Sequence, residues 1–282
     1  MESMILEIEK VTDNIFAVVD RSTIGNVAAF VLPSKIAVID SGMNIPLVKK
    51  FREHVEKESN KKTEILILTH FHGDHIFGNQ VFSDCRIIAT KPLADRMTES
   101  LETDWTEEKL EQWKQEAEDP SMLEELEITL PNETFDEEMQ IKDKNITLQI
   151  KRTGGHTEGS TYVYCPEYKA LVAGDNLFIK RYPWGGDKTA DPDKWIDTLE
   201  EYLSLEIDYF IPGHGSISTK EEVQEFLDYL RKVKQLIQDM NAKGKNKEEI
   251  LKACHEIEFY PPSREESKKM TLERWYEVWG QQ

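Results

Sequence analysis

The stretch Glu64-Ile-Leu-Ile-Leu-Thr-His-Phe-His-Gly-Asp-His75 joins an apolar run to a cluster of potential metal ligands. Its first six residues predict a strand that is buried on both faces. Side chains two residues apart in an extended chain share a face, so His70 and His72 can bind one ion together. The glycine that follows lets the chain turn and offers Asp74 and His75 to a second ion. Imidazole and carboxylate ligands suit Zn²⁺, with Fe²⁺ or Mn²⁺ also possible.

Three later motifs each follow or contain a short β-like run and end in a potential ligand. They are Gly154-Gly-His156-Thr-Glu-Gly-Ser160, Ala173-Gly-Asp175 and Pro212-Gly-His214-Gly215. Their glycines allow sharp turns or close approach, which suits ligands on loops above strand ends. One such histidine would usually be structural, but the whole set predicts a metal centre. The other two histidines, His54 and His255, are expected to be ordinary surface or core residues.

Short β-branched runs predict strands on both sides of the histidine cluster. They are Ile15–Val19, Val27–Leu32, Ile36–Ile39, Ile146–Ile150, Thr161–Tyr164 and Ala170–Ala173. Helices are predicted at 47–54, after the Asp191-Pro192 pair and after a capping box at Thr219, with further helical patterns towards the C-terminus. Strands with interspersed helices indicate an α/β sandwich.

The order His-x-His-x-Asp-His, Gly-His-Thr, Ala-Gly-Asp, Gly-His-Gly resembles the metallo-β-lactamase superfamily over roughly residues 14–215. The resemblance implies an α/β fold, a four-layer αβ/βα sandwich with the active site at one edge between two sheets. We expect a single domain over 1–282, with an acidic helical insertion at 93–140 and a C-terminal helical extension at 216–282.

The resemblance also implies a role for each potential ligand. The first metal would be bound by His70, His72 and His156, the second by Asp74, His75 and His214, and Asp175 would bridge the two. Asp40 matches an early aspartate of the family that lies near the metals. From the residues alone, Asp40 is either a turn residue or a partner that orients a ligand histidine.

A complete ligand set implies an enzyme with two metal ions, expected to be Zn²⁺, that share a hydroxide for attack on a carbonyl carbon. Asp74 would orient that hydroxide and pass a proton to the leaving group. Asp175 resembles the bridging residue of the thioesterase and lactonase branches, so we expect a small-molecule ester, thioester or lactone as substrate. The alternatives are a β-lactamase-like amide hydrolase, a di-iron oxidoreductase and a non-catalytic metal-binding protein.

The chain has 54 acidic residues against 35 Lys and Arg, a net charge of −19. Without a dense basic cluster, this acidity argues against a nucleic-acid partner. The stretch 93–140 holds 17 of the acids and three cations. A helix that Asp104 could cap lies there, and the stretch is a possible lid. Trp113 is a candidate substrate contact, as are Tyr182 and Trp184 after the third motif.

No apolar run approaches the roughly 20 residues that span a bilayer, so we expect no membrane partner. The acidic first residues do not resemble a signal peptide, which predicts a cytoplasmic protein. Three scattered cysteines without a CxxC pair indicate neither a disulfide framework nor a thiolate zinc site. Trp275 and Trp279 on the last predicted helix could pack in the core or form the face of a possible homodimer.

Overall fold

The computed structural model of the chain contains two β-sheets packed face to face, with helices on both outer sides. The structure describes residues 6–116, 119–123 and 125–280. No helix within these ranges has both the length and the apolar character needed to cross a membrane.

The first sheet has seven strands that lie side by side in chain order. Neighbours are antiparallel from β1 to β4 and parallel from β4 to β7. The strands are β1 Glu9–Thr12, β2 Ile15–Val18, β3 Val27–Val31, β4 Ile36–Ile39, β5 Thr63–Ile67, β6 Arg86–Thr90 and β7 Glu133–Phe135. In the central strands Val38 and Leu66 face the outer helices, whereas Ile39 and Ile67 face the second sheet. This alternation follows from the two-residue period of a strand.

The second sheet has five strands in the order β12-β11-β10-β9-β8. Its strands are β8 Glu138–Asp143, β9 Ile146–Arg152, β10 Thr161–Cys165, β11 Ala170–Phe178 and β12 Tyr209–His214. β11 and β12 are parallel, and the other neighbours are antiparallel. The parallel pair matters for function, because it brings the Gly-Asp and Gly-His motifs side by side, with Gly174 opposite Pro212.

The helices form the two outer layers. They are α1 Ile45–Ser59, α2 Gly73–Ile76, α3 Lys91–Thr103, α4 Glu107–Glu116, α5 Pro192–Ser204, α6 Lys220–Ala242, α7 Lys247–His255 and α8 Glu265–Trp279. α1 and α3 pack on the first sheet, and α5 to α8 pack on the second. A third apolar core fills the space between the sheets. The predicted four-layer αβ/βα sandwich is therefore confirmed.

Several local predictions are also confirmed. Each predicted apolar run overlaps a strand. The Asp191 carboxylate accepts hydrogen bonds from the first turn of α5, with Pro192 at its first position. Thr219 and Glu222 form the predicted capping box of α6.

The acidic stretch 93–140 is less helical than predicted. α3, α4 and a 3₁₀ turn at Pro120–Leu123 occupy its first part, but β7 and the start of β8 occupy its last part. Asp104 does not cap α4, because it ends α3 and its carboxylate accepts a hydrogen bond from Arg96 at 2.6 Å. The hydroxyl of Thr106 accepts from the first turn of α4 instead.

Trp275 and Trp279 are both fully buried and pack against α5 and α6. The indole of Trp279 donates a hydrogen bond to Asp193 at 2.8 Å. These two side chains therefore belong to the chain's own core, and the possible homodimer stays a prediction.

We expect Trp275→Ala to lower the free energy of unfolding by about 3–5 kcal/mol, because it opens a large cavity in the core around α8. Urea unfolding followed by circular dichroism measures the change. Lys269→Ala, on an exposed position of the same helix, is the control and should be nearly neutral. Equal losses in the two variants would contradict this account of the core.

Candidate metal centre

The seven predicted ligands come from five chain segments that meet beyond the ends of β5 and β12. They are His70 and His72 in the loop after β5, Asp74 and His75 in α2, His156 in the loop after β9, Asp175 in β11 and His214 at the end of β12. The structure brings all seven side chains together in two adjoining groups.

Asp40 lies behind this centre and orients two of its histidines. Its buried carboxylate accepts hydrogen bonds from the backbone N–H and the hydroxyl of Thr69, both at 2.7 Å, and from Nδ1 of His75 at 2.8 Å. Because the Thr69 hydroxyl donates its one proton to Asp40, it accepts from Nδ1 of His70 at 3.0 Å. In its neutral form each ring then presents an unprotonated Nε2 to the site. This geometry favours an orienting partner over a turn residue.

The first group contains His70, His72, His156 and Asp175, whose ligand atoms lie within 4.8 Å of one another. Nε2 of His156 is 2.9 Å from Nδ1 of His72. Oδ2 of Asp175 is 3.5 Å from Nε2 of His156 and 3.7 Å from Nε2 of His70. Nε2 of His70 is buried without a hydrogen-bond partner among the described residues. Such an orphaned nitrogen beside two other imidazoles fits a zinc-type ion.

The second group contains Asp74, His75 and His214. Oδ2 of Asp74 is 3.2 Å from Nε2 of His214 and 3.7 Å from Nε2 of His75. Asp175 reaches this group as well, since its Oδ2 is 3.4 Å from Nε2 of His214 and its Oδ1 is 3.1 Å from Nε2 of His75. Asp175 therefore lies between the two groups, where one carboxylate can serve both.

The electrostatics of the centre also fit a cation. Burial opposes the protonation of His214, yet Asp175 and Asp74 raise its pKa to about 9. Burial opposes the protonation of His75 too, and the same carboxylates raise its pKa well above the usual value. In contrast, burial lowers the pKa of His156 to about 3, which leaves a neutral ring with a free lone pair. Buried carboxylates that favour positive charge, together with a neutral imidazole, form a site that a divalent cation would stabilise.

Two glycines let the ligand-bearing strands approach closely. A Cβ on Gly213 would overlap Oδ1 of Asp175, and a Cβ on Gly174 would overlap the hydroxyl of Thr69. Gly174 also has a φ of +54°, which favours glycine. The glycine before each ligand is thus a packing requirement of the centre.

A cavity of about 620 Å³ opens over the two groups, and its lining includes His72, Asp74, Asp175 and His214. Trp184 lines it with its ring centroid 4.9 Å from that of His72. Tyr182 lines the cavity too, but its buried hydroxyl accepts a hydrogen bond from the hydroxyl of Tyr229 at 3.0 Å. Part of the lining, Pro261–Ser263, comes from the segment between α7 and α8.

Trp113 lies outside this cavity, against the prediction of a substrate contact. Its ring packs 6.1 Å from Phe77, and Phe77 packs under the loop at Gly73. Of the residues that the structure describes between 93 and 140, none lines the cavity. The lid stays a prediction that this arrangement does not support.

Sequence reasoning missed Asp187, whose Oδ2 lies 3.9 Å from Nε2 of His72. Its other oxygen accepts hydrogen bonds from the backbone and the hydroxyl of Thr189. Although burial opposes it, the nearby His72 ring and the hydrogen bonds from Thr189 lower the pKa of Asp187, so the carboxylate is charged. The sequence signal was weak, because an Asp-x-Thr triplet predicts only a local turn.

Comparison with known proteins accounts for this arrangement. A family model described as the metallo-beta-lactamase superfamily matches residues 23–214, a range that contains all seven converging side chains. The chain belongs to the metallo-beta-lactamase superfamily. Helices α6 to α8 lie beyond the range that the family model matches.

Individual relatives are more distant. The linear primary-alkylsulfatase of Pseudomonas sp. is 21% identical over 247 residues, which cover 76% of this chain and 46% of that protein. The metallo-beta-lactamase type 2 of Bacillus cereus is 26% identical over 202 residues, which cover 70% of this chain and 69% of that protein. This superfamily member therefore spans about half the length of the alkylsulfatase that it matches.

Among solved structures, the stereoselective inverting sec-alkylsulfatase Pisa1 from Pseudomonas sp. is similar with a TM-score of 0.69 at 17% identity. The alignment covers 98% of this chain and 50% of that chain. Because the alignment covers nearly the whole chain, the shared fold includes the C-terminal helices of this superfamily member as well as its sandwich.

We expect Asp40→Asn to weaken metal binding by about 10–100-fold, because the amide disturbs the hydrogen bonds that orient His70 and His75. Titration of the metal-free protein against a competing chelator measures the affinity. Asp143→Asn is the matched control, since that carboxylate accepts hydrogen bonds from Ser34. Equal metal affinity in the two variants would refute the orienting role.

Proposed function

We propose that this chain is a metal-dependent hydrolase that uses two zinc ions to cleave an ester, thioester or lactone bond of a small molecule. The observation that carries the proposal is the meeting of two ligand groups around Asp175 in the lining of an open cavity. Bound ions would lower the pKa of a water molecule and stabilise the negative charge that develops on the attacked carbonyl group.

Asp74 is the proposed catalytic residue. Its side chain is 24% exposed and lines the cavity, whereas that of Asp175 is 6% exposed. Although burial opposes it, His75 and His214 lower the pKa of Asp74, so this group is an ionised carboxylate that can accept a hydrogen bond from water. In this position it would take a proton from water and deliver it to the leaving group.

Aromatic side chains would hold the organic part of the substrate beside the centre. The ring of Trp184 lies 4.9 Å from that of His72 and 5.8 Å from that of His156. Phe178 stacks on His214 with ring centroids 5.3 Å apart. Both aromatic residues line the cavity, where apolar surface favours an apolar substrate group and excludes water from the ligands.

A second candidate is hydrolysis of a sulfate ester. The likeness to an alkylsulfatase fold extends over the C-terminal helices, and the segment Pro261–Ser263 between two of them lines the cavity. Release of inorganic sulfate from dodecyl sulfate, measured beside hydrolysis of aryl carboxylic esters, separates the two candidates. Sulfate release without ester hydrolysis would select the second candidate.

The zinc-loaded protein should hydrolyse at least one member of a panel of aryl esters, thioesters and lactones, to which a chromogenic cephalosporin is added for the β-lactamase-like alternative. We expect Asp74→Asn to lower kcat by about 10²–10⁴-fold, because the amide cannot transfer the proton. Asp95→Asn, an exposed carboxylate paired with Lys91, is the control.

Removal of the metal with a chelator should abolish the activity, and zinc should restore it. Elemental analysis of the purified protein distinguishes zinc from the iron of an oxidoreductase. Full activity after both chelation and the Asp74 substitution would refute the proposed function.

A further inference from the structure

We propose that Arg21, Lys180 and Arg181 form a subsite for an anionic group of the substrate, a carboxylate, sulfate or phosphate, beside the metal centre. All three residues line the same cavity as Asp74 and Asp175. That the anion belongs to the substrate rests on the proposed hydrolase function. That an anion binds at the three cations is independent of that function.

The arginines of this cavity differ from most of the others in their pairing. Six of the nine arginines form ion pairs with carboxylates: Arg52, Arg86, Arg96, Arg152, Arg231 and Arg274. Arg21 and Arg181 form none within the described residues, although the chain has 54 acidic residues against 35 Lys and Arg. The remaining arginine, Arg264, follows Ser263, which also lines the cavity. Unpaired guanidinium groups thus collect at one place in an acidic protein.

Two of these cations, and one apolar neighbour in the lining, have an uncommon backbone conformation. Arg21, Ile24 and Lys180 have φ angles of +74°, +66° and +53°, in the left-handed region that favours glycine. Arg21 begins a turn that is closed by a 2.9 Å hydrogen bond from the Ile24 N–H to the Arg21 carbonyl. Such strained residues persist only where the surrounding structure enforces them, and they concentrate at ligand sites.

The charges and shape of the subsite fit an oxyanion. Burial and the positive charge of Arg21 lower the pKa of Arg181, so the two guanidinium groups repel each other in the absence of a counterion. A bound anion would relieve this repulsion, and a planar guanidinium group can bind carboxylate, sulfate or phosphate through two parallel hydrogen bonds. Ile24 and Trp184 add apolar surface to the same lining. The structure therefore favours an anionic group attached to an apolar body.

The kinetic test uses two esters of matched length, the nitrophenyl monoester of glutaric acid and nitrophenyl valerate. We expect Arg21→Gln and Arg181→Gln each to raise KM for the anionic ester by about tenfold, with kcat and the KM of the neutral ester unchanged. Lys232→Gln removes one exposed charge from α6 and is the control for net charge. Equal effects on the two esters, or no effect on either, would refute the subsite.

A binding test keeps the subsite separate from catalysis. Calorimetry on the chelator-treated protein measures hydrocinnamate, phenyl sulfate and phenyl phosphate against the neutral methyl hydrocinnamate, and the tightest ligand identifies the anionic group. Anion binding that is about tenfold weaker in Arg21→Gln, whose side chain is exposed, supports the subsite even if no ester is hydrolysed. Binding of none of the anions, or equal binding by that variant, refutes the subsite even if esters are hydrolysed.

Discussion

The buried carboxylate of Asp40 is the interaction on which the rest of the centre depends. It joins the end of β4 to Thr69 after β5 and to His75 in α2 through three hydrogen bonds. A buried charge of this kind is stable only when its oxygens are satisfied. Because the bonds reach His75 directly and His70 through the Thr69 hydroxyl, one carboxylate determines which nitrogen two histidines present. Asp40 itself has a φ of +58°, a strained conformation that these bonds hold in place.

The centre also requires both sheets at once. The loop after β5 and the adjoining α2 supply four of the converging side chains, while Asp175 and His214 belong to the second sheet. The apolar core between the sheets, which includes Ile39, Ile67 and Ile211, sets their separation. Metal binding is therefore expected to be coupled to packing of the sandwich, since the unfolded chain cannot bring these ligands together.

The C-terminal helices contribute to the cavity as well as to stability. The N–H of Gly185 donates to the hydroxyl of Thr271 in α8 at 2.9 Å, which holds the loop that carries Trp184. The N–H of Tyr182 donates to the carbonyl of Pro261 at 3.4 Å. Pro261–Ser263 and α8 lie beyond the range that the family model matches, so part of the lining and support of the cavity comes from outside the segment that supplies the metal ligands.

The amino-acid sequence by itself determined the ligand types, their spacing and the strands that carry them. A two-residue alternation, a capping residue or a His-x-His pair acts within a few residues and is readable without a fold. The tertiary structure alone decided the contacts between distant segments: the bonds of Asp40, the position of Asp187 beside His72, and the packing of Trp113 on Phe77 outside the cavity. The presence of Arg21 and Arg181 in one cavity lining is of the same kind, because which loops come together depends on how the layers of the sandwich pack, and no local pattern encodes that.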